Sequence, residues 1–231
     1  MSTYACADLH GCWNLWEQIK KFCKEDDTIY ILGDCIDRGP DGFGILQDVL
    51  NDPRVIMLCG NHEDMMADGL EEEKDWGIGD HCMWIWFNNG GRVTYDSWQE
   101  AGRDFSWIEK IRALPTHATY TNKDGIKILM SHSGVVPKAG WELGDCGRKA
   151  LLWDRDCIRA KHWHRADNEI VVHGHTPIDL MPQFDGRDIE IEPGAFWYCD
   201  DHRVNIDTGA CWNGDTCLLD LDTFDEHIFF N

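Results

Sequence analysis

Five polar stretches in this sequence carry side chains that can bind metal ions or transfer protons. They are DLHG at residues 8–11, GDCIDRG at 33–39, GNHED at 60–64, SHSG at 131–134 and HGHTP at 173–177. Their carboxylate, imidazole and amide groups, with no cysteine among the candidate ligands, suit a hard to borderline divalent ion such as Mn²⁺, Fe or Zn²⁺. Because the candidate ligands outnumber what one ion needs, the sequence favours a two-metal site with a bridging carboxylate.

Short apolar and β-branched runs precede all five stretches and predict the strands that would position them. The runs cover residues 3–7, 28–32, 55–59, 126–130 and 170–172. Between them lie helical patterns, such as Trp13, Trp16, Ile19 and Phe22 at a spacing of three. Strands that alternate with helices indicate an α/β layered fold. In an open α/β sheet the carboxyl ends of neighbouring strands form one crevice, so we expect the five stretches to converge.

A single domain over residues 1–231 is the predicted organisation, because no clear linker divides the chain. Residues 64–115 are predicted to form a mostly helical subdomain within it, and residues 204–206 and 217–221 are predicted to be late strands. The Trp-rich segment 76–107 is interpreted as subdomain core and not as a surface for base stacking, because the chain is strongly acidic.

The composition limits the partners and the location of the protein. A formal net charge of −21 opposes general attraction to nucleic acid or to anionic membranes, which need basic patches. The N-terminus lacks a basic region followed by a long apolar one, and no run approaches the ~18 apolar residues that span a bilayer. Eleven cysteines are scattered without a C-x-x-C pair, which favours reduced thiols. We therefore expect a soluble, cytoplasmic protein without nucleic-acid or membrane partners.

The five stretches resemble the sequence blocks of the calcineurin-like metallophosphoesterases and, within them, of the phosphoprotein phosphatase family. WDR at residues 153–155 and VNIDTGA at 204–210 extend the resemblance over almost the whole chain. The pattern is most similar to the compact bacterial and lambda-phage type of serine/threonine protein phosphatase. The resemblance implies a layered β-sandwich flanked by helices, with a mostly helical insertion.

The resemblance also implies roles for individual residues. The metal ligands would be Asp8, His10, Asp34, Asn61, His132 and His175, with Asp34 bridging two divalent ions and Mn²⁺ as the preferred metal. Arg38 and Arg155 would bind the phosphate of a phosphorylated protein or a small phosphoester, together with Asn61 and His62. His62 would be the general acid, oriented by Asp37. A hydroxide that bridges the ions would attack phosphorus directly, without a phosphoenzyme.

Three details of the sequence bear on how closely the chain follows the family pattern and on which branch of the superfamily it resembles. Ala7 stands where glycine is usual, and His132 lies in HSG instead of HAG; both changes leave the ligands intact. No second histidine follows His175 as it does in the GHxH pattern of related phosphodiesterases. The last departure favours the phosphatase branch over nucleases of the wider superfamily.

Three functions stay open at this point. The leading one is a phosphomonoesterase for phosphoserine and phosphothreonine in proteins, with phosphotyrosine as a further candidate. The second is a symmetric diadenosine tetraphosphate hydrolase, which has the same blocks, and the third is a non-catalytic metal-binding scaffold. Three histidines also keep open roles: His173 either supports the neighbouring ligand or is structural, while His162 and His164 are assigned to surface or packing positions.

Overall fold

The computed structural model describes residues 1–77, 81–135, 144, 146–162, 166–186 and 192–231. Within these ranges the chain forms two five-stranded sheets and ten α-helices. The strands are β1 (Thr3–Cys6), β2 (Thr28–Ile31), β3 (Val55–Met57), β4 (His117–Thr121), β5 (Lys127–Ser131), β6 (Glu169–His173), β7 (Phe196–Tyr198), β8 (Arg203–Asn205), β9 (Asp215–Asp220) and β10 (Glu226–Phe230). The helices are α1 (Trp13–Phe22), α2 (Gly42–Asn51), α3 (Asn61–Trp76), α4 (Cys82–Asn88), α5 (Arg92–Glu100), α6 (Ser106–Arg112), α7 (Arg148–Trp153), α8 (Asp156–Arg159), α9 (Pro182–Asp185) and α10 (Ala210–Asn213).

Each sheet has a parallel centre and antiparallel additions. The first sheet has the order β10-β9-β1-β2-β3, in which β1, β2 and β3 are parallel. The second has the order β4-β5-β6-β8-β7, in which β5, β6 and β8 are parallel. Because parallel strands end on the same side of a sheet, the residues that follow them are brought together.

The side-chain alternation of the strands builds a sandwich. Ala5 and Tyr30 of the first sheet share a buried cluster with Met130 and Val172 of the second sheet. Cys6, one position along from Ala5, points to the other face and joins a larger cluster with the helices. A strand exposes its two faces alternately, so one sheet contributes to two cores. The predicted α/β class and the layered β-sandwich flanked by helices are confirmed.

Helices α3 to α6 occupy most of the stretch 64–115 that was predicted to be helical. Trp86 and Trp98 are fully buried in the same core as α1 and α2. Trp76 and Trp84 are 85% and 63% exposed, so the Trp-rich segment is not core throughout. The division of the chain into a domain with a helical subdomain stays a prediction. We call residues 82–112, which hold α4 to α6, the helical insertion.

The predicted strands are found, with ends shifted by one or two residues. β1 stops at Cys6, where residue 7 was predicted, and β3 stops at Met57, where residue 59 was predicted. β4, β7 and β10 were not predicted, because all three lie at sheet edges and consist mostly of half-buried or exposed positions. All eleven cysteines lie in the described part of the chain, and all are free. No helix there has the length and the apolar character that a membrane crossing requires.

Candidate metal centre and active site

The loops that follow the parallel strands meet at one edge of the sandwich and are strained. Six non-glycine residues there have a left-handed backbone: Asp8, His10, Asp34, Asp37, Arg38 and His175, with φ between 40° and 69°. Such conformations cost on the order of 1–3 kcal/mol each and persist only where the surroundings enforce them. Here the loops brace one another: the N–H of His10 donates to the carbonyl of Asp34, and the N–H of Gly39 donates to the carbonyl of His10. Strain concentrated at candidate ligands indicates a functional site.

Four atoms that can bind a metal ion, each from a different loop, lie close together at Asp34. Nε2 of His132 lies 2.8 Å from Oδ1 of Asn61, 3.1 Å from Nδ1 of His175 and 3.3 Å from Oδ2 of Asp34. Nδ1 of His132 lies 2.8 Å from the carbonyl of Leu32, to which its N–H donates, so in the neutral ring the Nε2 lone pair would face the other three side chains. Metal–ligand distances of about 2.0–2.2 Å place neighbouring donors about 3 Å apart, so these side chains fit a divalent ion.

Buried carboxyl groups at the same place favour a bound cation. Asp8, Asp34 and Asp207 are each at most 2% exposed. Burial opposes a positive charge on His132, but the Asp34 and Asp8 carboxylates and the carbonyl of Leu32 together outweigh it and raise the pKa of His132 to about 10. Burial would raise the pKa of Asp34, yet the surrounding imidazoles hold it well below its usual range. Burial, followed by the Asp207 carboxylate, raises the pKa of Asp8 well above its usual value. The site therefore favours bound positive charge.

A second group of donors adjoins the first through Asp34. His10, Asp34 and His62 place ligand atoms within 4.8 Å of one another. Nε2 of His10 lies 3.7 Å from Oδ2 of Asp34 and 4.0 Å from Oδ1 of Asp8. Nη1 of Arg38 lies 2.5 Å from the same imidazole nitrogen, so a guanidinium supplies positive charge here. The structure thus brings Asp8, His10 and Asp34 together, more loosely than it brings together the four residues Asp34, Asn61, His132 and His175.

The predicted acid and its carboxylate partner are in direct contact. Nδ1 of His62 lies 2.7 Å from Oδ2 of Asp37, and their side chains are 1% and 0% exposed. The other ring nitrogen of His62, Nε2, is directed away from Asp37 and lies 3.1 Å from Nη2 of Arg38. A carboxylate on Nδ1 stabilises the imidazolium and fixes the direction of Nε2. The pair can therefore deliver a proton at Nε2 beside a group held by Arg38.

Arg155 lies on the second-sheet side of the site. It is the residue before helix α8, is half-buried, and places its guanidinium 4.9 Å from the centre of the Phe184 ring. Its Nε is buried and has no hydrogen-bond partner among the described residues. Burial, His132 and then Arg155 lower the pKa of His175, so the guanidinium acts electrostatically on a candidate ligand. Arg155 is therefore within electrostatic range of the candidate ligand His175.

Glu63 supports the loop that contains Asp34. Its buried carboxylate accepts hydrogen bonds from the backbone N–H groups of Asp34, Cys35 and Gly60, each at 2.9 Å. A Cβ at Gly60 would lie 2.5 Å from the backbone nitrogen of Asp34, so only glycine fits there. Burial, and then the Asp34 carboxylate, raise the pKa of Glu63 to about 7. The fourth residue of the GNHED stretch thus fixes the left-handed turn that presents Asp34.

Two residues that lie outside the five sequence stretches also contact the site, at Asp37. Trp86 donates its indole N–H to Asp37, and Thr94 accepts the backbone N–H of Asp37 at 2.9 Å. Both belong to the helical insertion, which was interpreted only as core. Their separations from Asp37, 49 and 57 residues, are too long for any local pattern to show the contact. Co-variation among homologous sequences is the signal that could have found them.

Of the three histidines whose roles were left open, the two that the structure describes differ from the candidate ligands. Nε2 of His173 lies 2.6 Å from the hydroxyl of Tyr198, and Nδ1 lies 3.0 Å from the carbonyl of Gly174. Both ring nitrogens are therefore engaged by structural groups. His162 is exposed and offers its carbonyl to Arg203. His164 lies outside the described residues.

The chain is similar to known phosphoesterases in sequence. The family model described as calcineurin-like phosphoesterase matches residues 1–192. Serine/threonine-protein phosphatase 2 of Escherichia coli is 31% identical over 83% of this chain and 87% of that protein. The symmetrical bis(5'-nucleosyl)-tetraphosphatase of Buchnera aphidicola is 25% identical over 71% of this chain. The match spans about half, 54%, of the length of that tetraphosphatase.

Solved structures share the fold. A metallophosphoesterase from Sphaerobacter thermophilus aligns with a TM-score of 0.54 over 100% of this chain and 88% of that one, at 12% identity. At so low an identity the likeness bears on the fold alone. Together with the two sheets, it places this sandwich among the metallophosphoesterase folds.

Proposed function

Because the chain belongs to the calcineurin-like phosphoesterase family, we propose that it is a metal-dependent phosphomonoesterase acting on phosphoserine and phosphothreonine in proteins. Family membership makes the chain a hydrolase, and the family uses divalent metal ions. The observation that supports the proposal most directly is the convergence of Asn61, His132 and His175 on Asp34, beside the contact between His62 and Asp37. The similarity to bacterial serine/threonine phosphatases over most of their length supports the substrate class.

In this proposal the six predicted ligands hold two divalent ions, with Mn²⁺ as the preferred metal. Asp34, Asn61, His132 and His175 would hold one ion, and Asp8 and His10 would hold the other with Asp34. When bound, the ions would lower the pKa of a coordinated water and neutralise charge on the phosphate. The oxygen and nitrogen donors of this set suit Mn²⁺, Fe or Zn²⁺.

The protein's own groups then bind the phosphate and protonate the leaving oxygen. Arg38 and Arg155 offer planar guanidinium forks that match phosphate oxygens, and Asn61 and His62 lie beside them. His62 donates a proton from Nε2 to the departing oxygen while Asp37 stabilises its positive charge at Nδ1. Nη2 of Arg38 lies 3.1 Å from Nε2 of His62, so a phosphate held by this guanidinium would lie beside the nitrogen that donates the proton.

A second candidate function has a specific observation in its favour. Trp212 is 59% exposed, and the guanidinium of Arg38 lies 4.6 Å from its ring centre. An exposed indole beside a phosphate-binding arginine could stack on a nucleobase, which suits a symmetric dinucleoside tetraphosphatase. A non-catalytic scaffold is disfavoured, because every candidate ligand, the acid and both arginines are retained.

The test is a substrate panel. The purified protein is stripped of metal, supplied with Mn²⁺, and assayed for release of phosphate from peptides with phosphoserine, phosphothreonine or phosphotyrosine and for hydrolysis of diadenosine tetraphosphate. We expect higher kcat/KM on phosphoserine and phosphothreonine peptides than on the dinucleotide, and no turnover without metal. Preference for the dinucleotide would support the second candidate. No turnover of any ester, with metal bound, would favour the scaffold.

A further inference from the structure

The backbone N–H groups of Asp37 and Arg38 in the GDCIDRG loop both donate to acceptors in the helical insertion. The indole Nε1–H of Trp86 donates to Oδ2 of Asp37 at 2.9 Å and lies 3.1 Å from Oδ1. The backbone N–H of Asp37 donates to Oγ1 of Thr94 at 2.9 Å, and the backbone N–H of Arg38 donates to the carbonyl of Gly90 at 3.1 Å. Both loop residues have left-handed backbones, which these contacts help to enforce.

The indole N–H and the imidazole share one buried carboxylate. Asp37 is 0% exposed, and its Oδ2 contacts both Nε1 of Trp86 and Nδ1 of His62. A buried carboxylate needs its hydrogen-bond donors, because no water replaces a lost one. Without the indole N–H, the carboxylate can rotate toward another donor and leave the imidazole. The direction of Nε2 of His62 would then no longer be fixed.

The surroundings of Trp86 fix the plane of its ring. The side chain is 0% exposed and packs against Phe87 and Tyr95 at centroid distances of 5.8 and 6.1 Å. A Cβ at Gly91 would lie 2.6 Å from Cε2 of the indole, and still closer to Nε1. Gly91 has φ −73°, which any residue adopts, so glycine is required there to make room for the ring and not for backbone reasons.

We propose that Trp86 is a positioning residue of this enzyme: its indole N–H holds the Asp37 carboxylate against His62 and thereby directs the proton to the leaving group. The proposal rests on the proposed function in one respect, the role of His62 as general acid. It assigns to the helical insertion a part in the reaction beyond packing. The rest of the chain offers a matched control, because Trp98 in the same insertion is equally buried and donates its N–H to the carbonyl of Asp104, away from Asp37.

The experiment compares esters that differ only in how much their leaving groups need a proton. Phenyl phosphate has a poor leaving group, while p-nitrophenyl phosphate has one that departs unaided. In Trp86→Phe, which keeps an aromatic ring and removes the N–H, kcat on phenyl phosphate should fall about tenfold, part of the 10²–10⁴-fold that general acids typically supply. On p-nitrophenyl phosphate it should change less than about twofold, with KM and metal content retained.

Two further variants make the result specific. Gly91→Ala displaces the indole without deleting it and should lower the same ratio of rates, which keeps the test valid if Trp86→Phe folds poorly. Trp98→Phe should leave the ratio unchanged. In a His62→Asn background, Trp86→Phe should cause no further loss on phenyl phosphate, because the two residues act through one step.

Equal losses on both esters in Trp86→Phe and in Gly91→Ala would overturn the proposal and assign Trp86 to packing. A full additional loss in the His62→Asn background would also overturn it. If His62→Asn itself showed equal losses on both esters, the general-acid assignment under the proposed function would fail, and the role of Trp86 with it. A wild type that hydrolyses neither ester would contradict the proposed function directly.

Discussion

Two halves of the site are held in different ways. The ligand half consists of the six candidate ligands Asp8, His10, Asp34, Asn61, His132 and His175, which follow strands and are braced by hydrogen bonds between neighbouring loops. The acid half consists of Asp37, Arg38 and His62, and its loop is fixed by side chains and backbone of the helical insertion. In the proposed mechanism the strands and their loops would position the metal ligands, whereas the insertion would set the direction of the proton and of one arginine.

The largest expected effect tests the ligand half at its shared residue. In Asp34→Asn, turnover of a phosphoserine peptide with Mn²⁺ should fall by at least about 10³-fold, because the carboxylate adjoins both groups of donors and a two-metal site loses its bridge. Asp8→Asn removes a carboxylate from one group only and should retain more activity at high Mn²⁺. Equal activity of Asp34→Asn and the wild type at saturating metal would refute the shared position.

The next effect separates the acid half from the ligand half. His62→Asn should lose about 10²–10⁴-fold on phosphoserine peptides, and far less on p-nitrophenyl phosphate, because only the poor leaving group needs a proton. Asp37→Asn should show a weaker form of the same bias. Metal content should stay at the wild-type level in both variants. Losses of equal size on the two substrates would mean that His62 has a positional role only.

Arg155 belongs to neither half, and its replacement shows whether the phosphate is bound from the second-sheet side. Arg155→Ala should raise KM and lower kcat, together about tenfold to a hundredfold in kcat/KM, because charge-assisted hydrogen bonds are worth roughly 1.5–3 kcal/mol. Inhibition by free phosphate should weaken in parallel. A folded variant with unchanged kinetics and unchanged phosphate inhibition would place Arg155 outside the site.

The smallest expected effect concerns Trp212, at the outer side of the acid half. Trp212→Ala removes an exposed cation–π contact with Arg38, worth about 0.5–1 kcal/mol, so KM for phosphoserine peptides should rise only about two- to fivefold. If the second candidate function is correct, KM for diadenosine tetraphosphate should rise much more. A steady-state comparison of the two substrates measures the difference.

The positions of the six candidate ligands at the ends of strands could be predicted, because strand patterns and polar stretches are local in sequence. The run before Asp34 predicted β2 to within one residue of its observed end at Ile31. Convergence of the five stretches also followed from parallel strands, although they come from two sheets and not from the single sheet that the argument assumed.

The supports of the acid half could not be predicted in this way. The contact of Trp86 with Asp37 depends on how the helical insertion packs, and a buried indole in a helix gives no sign of its hydrogen-bond partner. The strained backbone at Asp37 could not be predicted either, because the sequence does not show the φ angle of an aspartate. Long-range packing and backbone strain become visible only in the structure.

The central claim is that Asp34 is shared by two metal ions, and elemental analysis after loading with Mn²⁺ and removal of free metal tests it most directly. The account predicts about two equivalents per chain in the wild type, about one in Asp8→Asn and well under one in Asp34→Asn. Circular dichroism serves as the control that Asp34→Asn is folded. Two full equivalents of Mn²⁺ in folded Asp34→Asn would contradict the account.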